Sequence, residues 1–130
     1  MEALPEFELH RPTTIAAALA ALAGNGSARL VAGGTDLIVN MRRGLVEAGH
    51  LVDLGAIAEL RAITLTTDRL TIGAGVTLDR LANDPGIAQR FPAIVQAAAA
   101  VAGSTHRHVA TLGGNLCLDT RCLFYNQSEW

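Results

Sequence analysis

The stretch ARLVAGGTD, residues 28–36, decides the fold of this chain. Its first residues, ARLVA, have the apolar character of a buried strand, and two adjacent glycines, a hydroxyl and a carboxylate follow at once. The next segment, LIVNMRR, is typical of a short helix. The stretch therefore predicts a strand, a glycine turn and a helix in that order.

The residues on both sides of this stretch extend the predicted strand, turn and helix into a β-α-β-α-β unit. FELHR, which starts at Phe7, predicts a short strand, and Thr13 or Thr14 can cap a helix with apolar residues at helical spacing. Glycine and asparagine at 24–26 favour the end of that helix. A third strand is predicted at His50–Asp53. Because each connection is too long for a hairpin, we expect a mostly parallel sheet.

The second half of the chain has a different pattern, which predicts an antiparallel sheet with helices. The stretch RAITLTTDRLTIGAG, residues 61–75, contains two β-rich runs around the turn sequence TDR. A helix capped by Thr77 is expected to close at NDPG, residues 83–86, with a second turn after it. Pro92 then opens an alanine-rich helix that runs to about Ala102.

The change of pattern near Leu54–Gly55 predicts the domain organisation. We expect an N-terminal subdomain at residues 1–54 and a second subdomain at residues 55–130. A crevice between two such units is a common place for a ligand.

The composition excludes several classes of protein. Half of the 130 residues are apolar and 17% are charged, which is typical of a folded chain and not of a disordered one. The longest apolar run, 93–103, is alanine-rich and interrupted by Gln96, so no membrane span is predicted. The acidic N-terminus argues against a signal peptide, so we expect a cytoplasmic protein. A net charge of −2 with scattered basic residues argues against binding of nucleic acid.

Two stretches share a glycine pair flanked by short polar residues: VAGGTD, residues 31–36, and ATLGGN, residues 110–115. Glycines at such a turn let backbone N–H groups approach a phosphate. Neither stretch is a Walker P-loop or a G-x-G-x-x-G fingerprint, and each alone is equally compatible with an ordinary glycine turn. Two such loops converging from the two halves would hold a pyrophosphate, and a flavin dinucleotide fits that description.

LVAGGTDLIVNMRRG and VAGSTHRHVATLGGNLC resemble the FAD-binding medium subunit of the xanthine dehydrogenase family of molybdenum hydroxylases. The resemblance extends through LVDL, residues 51–54, and LTIGAGVTL, residues 70–78. It implies an α+β, two-part FAD-binding domain of the PCMH type. In such a domain a small parallel β-α-β-α-β unit precedes an antiparallel sheet with helices, which is expected to be truncated here.

The resemblance also implies which residues bind FAD. The backbone of the first loop corresponds to a pyrophosphate contact, and the second loop corresponds to a further phosphate and ribose contact. One additional candidate lies at the end of the preceding helix. The implied cofactor-binding residues are Arg29, Leu30, Val31, Ala32, Gly33, Gly34, Thr35, Asp36, Val101, Thr111, Leu112, Gly113, Gly114 and Asn115. No catalytic residue is implied in this chain.

The last segment, GGNLCLDTRCLFYNQSEW at residues 113–130, narrows the resemblance to the β subunit of the 4-hydroxybenzoyl-CoA reductase branch of that family. There this segment leads into an insertion that holds a [4Fe-4S] cluster, and Cys122 corresponds to its first ligand. Such a cluster takes four thiolates, whereas this sequence has two cysteines. The cluster is therefore expected only if an insertion beyond Trp130 is present.

The resemblance implies a subunit that relays electrons within a molybdenum, iron–sulfur and flavin oxidoreductase. The implied reaction, part of aromatic degradation, removes the phenolic hydroxyl of 4-hydroxybenzoyl-CoA. Ferredoxin would be the donor, and a [2Fe-2S] subunit and a molybdenum-cofactor catalytic subunit would be the partners. The alternatives are the flavin subunit of a xanthine- or CO-dehydrogenase-like hydroxylase, and a truncated structural module. We expect the 130-residue chain alone to be inactive and prone to self-association through an unpaired edge.

The remaining reactive side chains have simpler interpretations. Cys117 is interpreted as a small buried hydrophobic residue, as free cysteines commonly are. His106, Arg107 and His108 are interpreted as a polar turn, since the sequence places no paired acid or nucleophile beside them. The spacing of these histidines and cysteines does not match a known zinc site.

Overall fold

The computed structural model describes residues 3–118 as short strands and helices. The first half contains β1, α1, β2, α2 and β3, which span Glu8–His10, Ile15–Ala23, Ala28–Val31, Leu37–Arg42 and His50–Asp53. Two 3₁₀ turns follow at Leu54–Ala56 and Ala58–Arg61. The second half contains β4, β5 and α3 to α7, which span Ile63–Leu65, Leu70–Ile72, Leu78–Ala82, Pro85–Arg90, Pro92–Ala100, Ser104–Arg107 and Leu112–Leu116. Within residues 3–118, no helix has the length and apolarity needed to cross a membrane.

The strands of the first half form a parallel three-stranded sheet in the order β1-β3-β2. The central strand, β3, is buried on both faces. Its adjacent residues Leu51 and Val52 are both buried, and successive side chains of a strand point to opposite faces. One face packs against α1 through Ala18, and the other packs against α2 through Met41. The parallel β-α-β-α-β unit predicted from the sequence is confirmed.

The second half begins with the predicted antiparallel hairpin. In β4 and β5, Ile63 is paired with Ile72, and Thr66 N donates to the Arg69 carbonyl at 2.8 Å to close the turn. Helices α3, α4 and α5 pack together beside the hairpin, and their buried side chains form the core of this half.

The helix starts in the second half depend on local capping. Thr77 caps α3 as predicted, since its Oγ1 accepts a hydrogen bond from Arg80 N at 3.2 Å. The turn expected after α3 is instead the helix α4. The Asp84 carboxylate accepts from Ile87 N at 2.9 Å, and Pro85 occupies the first helical position. Asp and Pro favour both a turn and a helix start, and burial of Ile87 in the core favours the helix here.

The two halves contact each other around the 3₁₀ turns. Ile57, which follows the proposed boundary at Leu54–Gly55, is buried in the same cluster as residues of α1 and the parallel sheet. A Cβ atom on Gly73 would lie 2.2 Å from the Leu60 carbonyl oxygen, so glycine is needed for the hairpin to approach the turns. The division into subdomains at residues 1–54 and 55–130 stays a prediction.

Candidate functional site

The first glycine loop, residues 32–36, connects the end of β2 to α2. Gly34 has a φ of +69°, a left-handed conformation that residues with side chains rarely adopt. Its carbonyl accepts a hydrogen bond from Ile38 N at 3.3 Å, within the first turn of α2. Gly34 therefore lets the chain turn directly from the buried strand into the helix.

Gly33 brings the first glycine loop against Val109 and Ala110, where the second glycine loop begins. A Cβ atom on Gly33 would lie 2.1 Å from the Val109 carbonyl oxygen and 2.9 Å from Ala110 N. No side chain can occupy that space without displacing backbone. Two segments that are far apart in the sequence therefore lie side by side in the structure, in contact through Gly33.

The first glycine loop has backbone N–H groups that make no hydrogen bond within residues 3–118. Among the hydrogen bonds of residues 3–118, none uses the N–H groups of Gly33, Gly34 or Thr35 as donor. Successive N–H groups in a turn of this kind favour an anion such as phosphate. Asp36 follows them, and Asn40 Nδ2 donates to its carboxylate at 3.4 Å. The loop can therefore offer three neighbouring donors without a side chain at positions 33 and 34.

The second glycine loop, residues 110–115, is anchored to the segment that precedes α3. Leu112 N donates to the Val76 carbonyl and Gly113 N donates to the Ala74 carbonyl, both at 2.8 Å. A Cβ atom on Gly113 would lie 2.8 Å from the Cβ of Ala74, so this approach also requires glycine. The glycine at 113 thus has a packing role that the sequence alone does not reveal.

Unlike the first loop, the second loop uses its backbone donors inside the chain. Gly114 N donates to Thr111 Oγ1 at 3.2 Å, and Asn115 N donates to the Thr111 carbonyl at 2.9 Å. These bonds cap α7, a five-residue helix that contains both glycines of this loop. Thr111 is buried, whereas Asn115 is exposed. A ligand contact from this loop would therefore come from side chains.

Arg107 joins the end of α5 to the chain that leads into the second glycine loop. Its Nη1 donates to the carbonyls of Val101 and Ala102, at 3.0 and 2.6 Å, and Ala102 has a φ of +46°. Of His106, Arg107 and His108, interpreted from sequence as a polar turn, the first two end the short helix α6 and His108 is its C-cap. The sequence did not predict this role for Arg107, because its acceptors are backbone carbonyls, which every residue type has.

The other predicted site residues differ in exposure. In β2, Arg29 and Leu30 are exposed, whereas Val31 is buried, so Val31 could contact a ligand only through its backbone.

The prediction that Cys117 is buried was wrong. Leu112 packs α7 against the core, but the helix then leaves the core and Cys117 is exposed at its C-terminal end. Cys122, the predicted [4Fe-4S] ligand, lies outside the described residues.

Comparison with known proteins identifies the family. Residues 5–122 match the sequence pattern of a protein family described as "FAD binding domain in molybdopterin dehydrogenase". The chain belongs to this family. The xanthine dehydrogenase FAD-binding subunit of Escherichia coli O157:H7 is 42% identical over 109 residues, which cover 83% of this chain and 37% of that protein. The carbon monoxide dehydrogenase medium chain of Hydrogenophaga pseudoflava is 34% identical over 113 residues, which cover 86% of this chain and 39% of that protein.

A solved structure shows the same fold. Quinoline 2-oxidoreductase from Pseudomonas putida 86 matches with a TM-score of 0.84 and 34% identity, over 88% of this chain and 40% of that chain. The chain thus spans about two fifths of the length of these relatives. The α+β fold and FAD as the cofactor, both predicted from sequence, are confirmed by these matches. The individual FAD-contacting residues stay a prediction.

Proposed function

We propose that this chain is the FAD-binding part of an electron-transfer subunit in a molybdenum-dependent oxidoreductase complex. The family match over residues 5–122 carries the proposal. The close approach of Gly33 to Val109 and Ala110 supports it, because it places three N–H groups of the first glycine loop, unpaired within the described part of the chain, beside the segment that leads to the side chains of the second.

The two glycine loops would hold FAD by different means. In the first loop, the N–H groups of Gly33, Gly34 and Thr35 would donate to the pyrophosphate. In the second, the exposed Asn115 side chain and the Thr111 hydroxyl, whose oxygen accepts from Gly114 N and whose hydrogen is left to donate, would contact a phosphate and the ribose. A hydrogen bond to a charged phosphate contributes about 1.5–3 kcal/mol, so a few such bonds give substantial affinity. When bound, FAD supplies the redox chemistry, and the residues of this chain bind and orient it.

We infer that the partners are a molybdenum-cofactor catalytic subunit and a [2Fe-2S] subunit. The relatives named FAD-binding subunit and medium chain support this inference, since both names denote parts of larger enzymes. In such a complex, substrate would be converted at the molybdenum centre of another chain, and electrons would cross this chain through FAD.

Different observations favour two candidate reactions. Residues 113–130 favour 4-hydroxybenzoyl-CoA reductase, with ferredoxin as donor and Cys122 as the first [4Fe-4S] ligand if the others are present. Identity to xanthine and carbon monoxide dehydrogenase subunits favours a hydroxylase. Assays of the purified complex separate them. Formation of benzoyl-CoA from 4-hydroxybenzoyl-CoA with reduced ferredoxin supports the reductase, and dye reduction by xanthine or carbon monoxide supports the hydroxylase.

A matched pair of glycine variants tests the proposed role in flavin binding. Gly34 and Gly44 have φ values of +69° and +68°, so valine strains the backbone similarly at both positions. Only Gly34 lies in the first glycine loop, and an added Cβ at Gly44 has no neighbour within 4 Å. In the purified complex, Gly34→Val should lose FAD and keep the partner clusters, whereas Gly44→Val should keep both.

Flavin absorbance and iron content measure this outcome. Wild-type flavin content in Gly34→Val would contradict the proposed site. A wild-type complex that is folded but contains no flavin would instead support the alternative that this chain is a structural module without a redox role.

A further inference from the structure

Two histidines and a glutamate lie together on one face of the parallel sheet. Glu8 and His10 are two residues apart in β1, and Glu8 is paired with His50 of β3, so all three side chains project from the same face. Glu8 and His50 are the first residues of their strands, whereas the first glycine loop follows the last residue of β2. The cluster therefore lies toward the opposite end of the sheet from that loop.

The ligand atoms of this cluster lie close enough to converge on one ion. His10 Nε2 and His50 Nδ1 are 3.3 Å apart; Glu8 Oε1 lies 3.6 Å from His10 Nε2, and Glu8 Oε2 lies 3.6 Å from His50 Nδ1. Hydrogen bonds to oxygen have heavy-atom distances of about 2.7–3.2 Å, so the carboxylate is too far from both rings for good hydrogen bonds. Tetrahedral ligands at about 2.0–2.1 Å from Zn²⁺ are separated by about 3.3 Å. The two nitrogens already have that separation, and the three ligand atoms lie within 4.8 Å of one another, so one Glu8 oxygen has to move closer to the rings to complete the spacing.

We propose that Glu8, His10 and His50 form a binding site for a divalent transition-metal ion, Zn²⁺ in the first instance. Two imidazole nitrogens and one carboxylate oxygen are a donor set that suits Zn²⁺, and a fourth position stays open to water. Mg²⁺ and Ca²⁺ prefer oxygen ligands, so they should bind weakly here.

The surrounding structure keeps the three ligands in place and accessible. Glu8 N donates to the Gly49 carbonyl at 2.9 Å, which fixes the start of β1 beside β3. The imidazoles are half-buried and stacked, with ring centroids 5.5 Å apart, and Glu8 is exposed. An ion bound here would join the edge strand β1 to the central strand β3 through side chains.

Metal titration of the full chain tests the proposal. Cys117→Ser and Cys122→Ser form the background, because free thiolates also bind Zn²⁺. After treatment with a chelator, calorimetric titration at pH 7.5 should show one Zn²⁺ per chain and little heat with Mg²⁺. His10→Gln and His50→Gln should each weaken binding by more than about tenfold. His106→Gln, which removes an exposed histidine outside the cluster, should leave the affinity unchanged.

Two further measurements separate a lost ligand from a lost fold. Zn²⁺ should raise the melting temperature of the background protein and of His106→Gln but not of His50→Gln. The isosteric variant Glu8→Gln should keep the circular dichroism spectrum and lose affinity. Equal affinity in all variants, or the absence of saturable binding, would overturn the site. FAD content is not expected to change, so failure here is distinguishable from failure of the proposed flavin role.

Discussion

Replacement of Gly33 by alanine should force the first glycine loop away from the chain before the second. The new Cβ would lie 2.1 Å from the Val109 carbonyl oxygen, whereas ordinary contacts begin at 3.4 Å, so backbone has to move by more than 1 Å. Overpacking of this kind costs about 1–3 kcal/mol of unfolding free energy. At roughly 4 °C per kcal/mol for a domain of this size, the melting temperature should fall by about 4–12 °C.

A displacement of this size should also weaken FAD binding. Misalignment of two donors in the first glycine loop removes about 1.5 kcal/mol or more for each bond to phosphate, which corresponds to a loss of roughly 100-fold or more in affinity. Titration of FAD followed by flavin fluorescence measures this loss. Gly26→Ala is the control, since an added Cβ there has no neighbour within 4 Å. Wild-type affinity and melting temperature in Gly33→Ala would refute the reasoning.

Two other predictions concern single side chains. Thr77→Ala removes the hydroxyl that caps α3, so it should destabilise the protein by about 1 kcal/mol in thermal or denaturant unfolding, whereas Thr77→Ser should stay close to wild type. Equal loss in both variants would show that the cap is not the cause. Cys117 is exposed, so in a Cys122→Ser background it should react with a thiol reagent in the native state at nearly the rate seen in denaturant. Reaction only after unfolding would contradict the exposed position.

The elements that sequence predicted correctly depend on interactions between near neighbours. Thr77, and Thr14 of the two candidates Thr13 and Thr14, each accept a hydrogen bond from an N–H three residues later, so the residue types indicate the helix starts to within one residue. The parallel direction of the strands follows from the length of the connections. Strand β3 is found at His50–Asp53, as its apolar content predicts.

The features that sequence did not predict depend on contacts between distant segments. The approach of Gly33 to Val109 requires both halves to be folded, so a glycine in the sequence could not be distinguished from an ordinary turn glycine. The proximity of His10 and His50 depends on the register of β1 against β3, which the sequence does not specify. Exposure of Cys117 depends on where α7 leaves the core, which is equally a tertiary property.

FAD binding by the purified protein tests the central claim most directly. The family match and the adjoining glycine loops predict saturable binding of one FAD per chain, with a change in the flavin absorption spectrum on binding. A protein that is folded by circular dichroism but binds no FAD, either alone or in its complex, would contradict the assignment.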